Sequence, residues 1–262
     1  MPERSTSKYY DDSRNLVYKR VLHHIKASDL RETAGLTLRF RDDLNPRFWI
    51  GAKLRPEVRR ALMNFAKAFA DFVDLEDSAI QDVIMLGGNA GYNYTQYSDI
   101  DVHLVIDPKL IPQCDPDLIS DYFMDKKTLW ELTHDVKVYG APVEPYIERP
   151  GITRKVSQGV YSVLKNKWVQ EPQKFDGDID EFELTKKTNN LKNKIDILIQ
   201  TEKPEALRSI VKKLRAARSS SLDKYGEYGF ENLVFKELRN SGYIDKIRKS
   251  MVQLKNRRLS LP

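Results

Sequence analysis

The residues with the clearest chemical potential stand together in Val83–Asp107, "VIMLGGNAGYNYTQYSDIDVHLVID". Asp99 and Asp101 are two apart at the head of an apolar run, so an extended chain points both carboxylates from one face. Two carboxylates that close repel, and one takes up a proton unless a cation lies between them. Hard oxygen ligands of this kind suit Mg2+, with Mn2+ as the alternative. Mg2+ keeps several waters and binds substrate phosphates beside one or two carboxylates. Gly87 and Gly88 end the preceding apolar run, where glycine admits unusual backbone angles and exposes N–H groups to anionic oxygens. A metal-binding strand end facing a phosphate-binding turn is the logic of phosphoryl or nucleotidyl transfer. Each motif alone is weak: D-x-D pairs often sit on solvated strand ends, and G-G is mostly a tight turn. Together, on a strand–loop–strand, they are selective.

Several elements must position this segment. Val83–Leu86 reads as a strand, and Ile100–Ile106 alternates, with Ile100, Val102, Leu104 and Ile106 opposed to Asp99, Asp101 and His103. A helix is expected over 15–26. After a loop or short extended run, a long helix starts near Pro56 and lays Val58, Leu62, Phe65, Phe69, Phe72 and Val73 on a core. Another covers 117–132, with Tyr122, Phe123, Leu129 and Trp130 apolar. In "DVKVYGAPVEPYIE" the prolines and glycine argue for an edge strand or a bulge. There Val143 and Ile147 face one way, and Glu144, Tyr146 and Glu148 the other.

Beyond residue 150 the chain reads as helical. "GVYSVLKNKWV" is one candidate helix, followed by the charged linker "QEPQKFDGDIDEF". Helices are then marked by Leu184, Leu191, Ile195 and Leu198; by Leu207, Ile210, Val211 and Leu214; by "GFENLVFKELRNSG", closed by Gly242; and by Ile244, Ile247, Met251 and Leu254. The expected class is α/β (α+β): a flexible start over 1–14, a core of strands and helices over 15–150, and a helical, basic region over 151–262.

Net charge is +6 across 262 residues. From Phe182 to Pro262 there are 19 Lys and Arg against 9 Asp and Glu, while the rest carries 25 against 29. A basic C-terminal third suits a polyanion such as RNA or DNA, through Lys212, Lys213, Arg215, Arg218, Arg257 and Arg258. Tyr225, Tyr228 and Phe230 are candidates to stack on bases; a solvated helical bundle accounts for the same charges. No apolar run is long enough to span a bilayer, so no membrane partner is expected, and the first residues lack a signal-peptide core. One cysteine, Cys114, forms no internal disulfide and fits a reducing cytoplasm. With only four histidines beside it, a structural zinc site is not expected.

"LGG", a loop, then "DID" and an apolar strand resembles the signature of the DNA polymerase β-like nucleotidyltransferase superfamily, which includes poly(A) polymerases, CCA-adding enzymes and oligoadenylate synthetases. More narrowly, "YSDIDVHLVID", "LWELTHDVKVYGAPVEPYI", "GVYSVLKNKWVQEP" and "ENLVFKELRNSGYID" look like uncharacterised phage-type nucleotidyltransferases. The resemblance implies a nucleotidyltransferase core on a small mixed sheet, with a mainly helical region across its cleft. It implies a nucleoside triphosphate substrate and a two-metal mechanism, in the host cytoplasm if the gene is a phage's. Gly87 and Gly88 would approach the triphosphate. Many members carry serine at the second of these positions, so at Gly88 a backbone contact or Ser98 would substitute. Asp99 and Asp101 would bind both metals. The third carboxylate, on a neighbouring strand, matches Glu144, as metal ligand or general base, with Glu148 the rival.

Among weaker signals, Tyr92 and Tyr94 are placed to stack on a base or, the preferred reading, to pack their loop. His103 is read as a histidine bonded to a neighbour. Lys165 and Lys167 are candidates to meet the triphosphate, or lie on a solvated helix face. The expected reaction moves a nucleoside monophosphate to a hydroxyl, foremost a nucleic-acid 3′ end. A small molecule, a protein or a second nucleotide is the alternative acceptor. A catalytically silent nucleotide-binding scaffold is the reading of another class.

Overall fold

A computed structural model describes residues 36–110, 119–155 and 157–260. The expected helix over 15–26, the polar start and Cys114 lie outside the described residues. A two-strand hairpin, β1 (Trp49–Ile50) and β2 (Lys53–Leu54), precedes α1 (Pro56–Phe72), which begins on its proline. Next come β3 (Ile80–Leu86), β4 (Ile100–Ile106), α2 (Ile119–Thr133), β5 (Lys137–Val138) and β6 (Ala141–Glu148). A hairpin, β7 (Val160–Ser162) and β8 (Lys167–Gln170), leads to four helices: α3 (Glu181–Gln200), α4 (Pro204–Tyr225), α5 (Phe230–Asn240) and α6 (Tyr243–Leu259).

Six strands form one mixed sheet in the order β5-β6-β4-β3-β7-β8, with β4 and β6 parallel and the other pairs antiparallel. The fold class is the one expected, a mixed sheet flanked by helices with a helical C-terminal region. Val58, Leu62, Phe65 and Phe69 of α1 pack with Ile100, Val102, Leu104 and Ile106 of β4 in one core. Phe123 and Trp130 of α2 join it, whereas Tyr122 and Leu129 face outward. A second core is helical: Leu184, Ile195, Leu207, Leu214, Leu233, Leu238 and Ile247, joined by Leu38 from the chain ahead of β1. Burying side chains of this size stabilises each core by about 1.5–3 kcal/mol per residue.

Two expectations need restating. The segment "GVYSVLKNKWV" is not a helix but the β7–β8 hairpin, which extends the sheet beside β3. Its apolar spacing allowed either reading; the tertiary partner decided. Trp168 stacks on Trp49 at 4.8 Å while Tyr161 meets both rings edge-on, and Asn166 takes a left-handed φ of 54° in the turn. β6, expected at an edge, has β5 along only its first two residues. Val143 still donates to the Val136 carbonyl, and from Glu144 onward β4 is its sole ladder partner among the described residues, which tolerates Pro145.

Among the described residues no helix is long and apolar enough to cross a membrane.

Candidate active site

Strand register assembles the carboxylates. In the parallel pairing of β4 with β6, Asp101 lies opposite Glu144 and His103 opposite Tyr146. Asp99, just ahead of β4, shares Asp101's face by the two-residue repeat. One oxygen from each of Asp99, Asp101 and Glu144 falls within 4.8 Å of the others. That hard-oxygen set suits a divalent cation of the Mg2+ or Mn2+ kind.

The electrostatics show what the cluster lacks. Burial, then the neighbouring Asp99 and Glu144, pushes the Asp101 carboxyl up to about 7, against the opposing pull of Lys127 and Arg239. Burial also pushes Glu144 up, but Lys127, the Tyr146 hydroxyl and Arg239 together bring it below the usual range. Lys127 Nζ lies 3.1 Å from Glu144 Oε2, and Tyr146 donates its O–H to the same oxygen at 2.8 Å. The three acids are short of positive charge, and Asp101 bears most of the shortfall.

Glu148 is committed elsewhere. Its Oε2 meets His103 Nδ1 at 2.7 Å and pairs with Arg154. Burial pushes the His103 imidazole down, against Glu148, and its ring stacks on Tyr146 at 4.5 Å. This is the neighbour-bonded histidine expected.

Gly87 closes β3 at φ +81°, and a Cβ there would stand 2.2 Å from Asp101 Oδ2. Gly87→Ala is therefore expected to weaken Mn2+ binding and to destabilise the fold by about 1–3 kcal/mol. Metal titration and thermal melts read both, and wild-type Mn2+ affinity in this variant would refute the close approach. At Gly88 a Cβ would lie 3.1 Å from Ser98 Oγ. The Ser98 hydroxyl, which accepts the Thr95 N–H at 2.9 Å, stands beside the place where a residue-88 side chain would begin.

The loop between glycines and aspartates is pinned by Asn89, a residue the sequence reading passed over. Its amide donates to the carbonyls of Ser98 and Asp99, its Oδ1 accepts from Asn45, and its own carbonyl accepts from the Trp49 indole. Tyr94 packs under Arg41, as preferred for the loop tyrosines. Tyr92 instead lines a second cavity of about 400 Å3 with Phe40, Phe175 and Tyr228.

A cleft of about 360 Å3 separates the sheet from the helices. Gly87, Gly88, Ser98, Asp99 and Asp101 line one wall, and Arg218, Lys236 and Arg239 the other. Arg239 Nη1 is 3.7 Å from Asp99 Oδ2. Across the cleft Asn93 donates to the half-buried Glu227 at 2.6 Å, which ties the loop to the helical half. Lys165 is not among the lining residues; it pairs with Asp82 on β3, and Lys167 lies on the exposed β8 hairpin. Of the basic residues singled out in the C-terminal third, Arg218 reaches the cleft, Arg257 pairs with Glu202, and Lys212, Lys213, Arg215 and Arg258 lie on exposed surface. Lys127 did leave a trace in the sequence. It stands four residues after Phe123 and three before Trp130, on the inward face of α2.

No family model matches the chain, and no curated protein sequence matches it. Among solved structures, a STING-associated CdnE c-di-GMP synthase from Capnocytophaga granulosa is similar at a TM-score of 0.20 with 12% identity, over 78% of this chain and 84% of that one. At that score the overlap has no bearing on function.

Proposed function

We propose that this protein is a divalent-metal-dependent nucleotidyltransferase that moves a nucleoside monophosphate from a nucleoside triphosphate to a hydroxyl and releases pyrophosphate. One observation carries the reading: three carboxylates, Asp99 and Asp101 at the head of β4 and Glu144 on the paired β6, converge within 4.8 Å, and the two aspartates line a cleft with Arg218, Lys236 and Arg239. In the transfer the acceptor oxygen bonds to the α-phosphorus as the bond to the leaving pyrophosphate breaks. Asp99, Asp101 and Glu144 are the residues that would hold the divalent cation or cations of a two-metal mechanism. The bound ion supplies Lewis acidity and neutralises phosphate charge. Glu144 is the candidate to receive the hydroxyl proton, the role that the sequence resemblance gives the third carboxylate. Gly87, Gly88 and Ser98 offer backbone N–H groups and a hydroxyl to the phosphates, and Arg218, Lys236 and Arg239 balance the charge gathering on pyrophosphate.

The acceptor best supported is a nucleic-acid 3′ end, on the strength of exposed Lys212, Lys213 and Arg215 along α4. Polynucleotide binding then weakens steeply with salt, whereas a small acceptor shows little change.

The deciding experiment incubates the protein with each α-labelled NTP, Mg2+ or Mn2+, and mixed RNA, small molecules and protein. No transfer to any acceptor, with Asp99→Asn and Asp101→Asn indistinguishable from wild type, rules the activity out. Arg239→Ala is expected to raise the KM for NTP about tenfold or more, since a charge-assisted contact contributes about 1.5–3 kcal/mol. Steady-state kinetics at saturating acceptor measure it.

A further inference from the structure

We propose that Lys127 is a built-in competitor for the metal site, an ammonium that holds Glu144 in the metal-free protein and passes to Glu131 when a divalent cation arrives. This rests on the reading that the carboxylate cluster takes such a cation.

Lys127 is an unusual lysine. Its side chain is 9% exposed, on the face of α2 that packs against β6. Burying an ammonium is costly unless it is paired, and here it has three partners. Nζ lies 3.1 Å from Glu144 Oε2, 2.5 Å from Glu131 Oε1 one helical turn on, and 3.7 Å from the Tyr146 ring centroid. Glu144 belongs to the cluster, whereas Glu131 does not and is 44% exposed. The ammonium therefore already touches the partner to which it can withdraw. Of the cleft's cations, Arg239 is the one paired with a carboxylate of the cluster, and it stands farther off, at 3.7 Å, with a side chain 38% exposed. Arg154 is taken up by Glu148. Lys127 is thus the cation set into the site, and an entering metal must overcome its charge.

A lysine that merely neutralises two glutamates would support the site, and its loss would weaken metal binding. A competitor predicts the opposite sign. The test is titration of the metal-stripped full chain with Mn2+, without nucleotide, following the paramagnetic resonance of the free ion. Lys127→Met is expected to bind Mn2+ about tenfold tighter, because a unit charge is removed within a few ångström of the cation. Glu131→Gln is expected to bind it several-fold more weakly, because Lys127 then has Glu144 as its one carboxylate partner. In the double variant the effect of Glu131→Gln shrinks, since most of it acts through Lys127.

Equal or weaker Mn2+ affinity in a folded Lys127→Met protein overturns the proposal. If that variant does not fold, Glu131→Gln decides: its carboxylate is exposed, and unchanged or tighter binding there overturns the proposal equally. Absence of Mn2+ binding in wild type and both variants overturns it together with the metal reading. The expected signs in a protein that transfers no nucleotide support the role of Lys127 and count against the transferase reading alone.

Discussion

Asp99→Asn, Asp101→Asn and Glu144→Gln are each expected to lower nucleotide transfer about 1,000-fold or more while leaving the fold intact. The magnitude follows from the charge each contributes. Metal assistance lowers such barriers by several kcal/mol, and each ~1.4 kcal/mol is tenfold in rate. Amides keep the shape of the carboxyl but remove the charge that holds the cation. Glu148→Gln is the control. Its carboxylate is bonded to His103 and Arg154 rather than gathered with the aspartates, so transfer is expected to fall about tenfold, an effect on positioning alone. Single-turnover assays with labelled NTP read all four variants, and melts establish that each is folded. A near-normal Glu144→Gln beside an inactive Glu148→Gln would reverse the assignment.

The distinction between those glutamates shows what a sequence carries and what it cannot. Asp99 and Asp101 were legible because their relation is local: a two-residue repeat in an alternating strand fixes a shared face. Gly87 was legible as the end of an apolar strand, read there as room for a phosphate, whereas the close neighbour of a side chain at this position is Asp101 on the next strand. Glu144 and Glu148 both satisfy the alternation of β6, so only strand register separates them, and register belongs to the pairing of two segments distant in sequence. The pairing of Asp101 with Glu144 settles which of them approaches the aspartates.

Distance in sequence also hid the cleft's cations. Lys165 and Lys167 were candidates from their place in the second part of the chain alone, on a segment, "GVYSVLKNKWV", that satisfied a helical period. The Trp49–Tyr161–Trp168 aromatic cluster makes that segment a hairpin instead, and turns Lys165 toward Asp82. Arg218 and Arg239 come from two helices of the second core, and nothing local marks which cations of a lysine- and arginine-rich bundle face inward. The order and type of the last four helices, by contrast, followed from their apolar stripes, Pro204 and Gly242, because capping and periodicity are short-range.

Asp101→Asn is also expected to stabilise the metal-free protein, and to do so more at pH 8 than at pH 4. The folded-state carboxyl is pushed up to about 7, chiefly by burial and then by Asp99 and Glu144. In the unfolded chain an aspartate ionises near ~3.9. Below that value the group is neutral in both states and costs nothing. Between ~3.9 and 7 the unfolded chain gives up its proton while the folded chain keeps it, so stability falls as pH rises. Above 7 the carboxylate is ionised in both states and the loss is complete. Three units correspond to about 4 kcal/mol at most, because each is worth ~1.4 kcal/mol. Coupling to the other two acids shares that cost, so about 2–4 kcal/mol is expected at pH 8, or a rise in Tm of about 4–16 °C for a chain of this size. Near pH 4 the two proteins should melt together. Mn2+ should raise the Tm of wild type and barely move that of Asp101→Asn, since a ligand stabilises only the state that binds it. Melts in chelator across pH 4–8 carry the test. An Asp101→Asn protein that is less stable at pH 8, or offset equally at every pH, would show that the carboxylate is already compensated by Lys127 and Arg239. As it stands, the chain keeps at Asp101 a charge that its own fold opposes, in the one place where a divalent cation would relieve it.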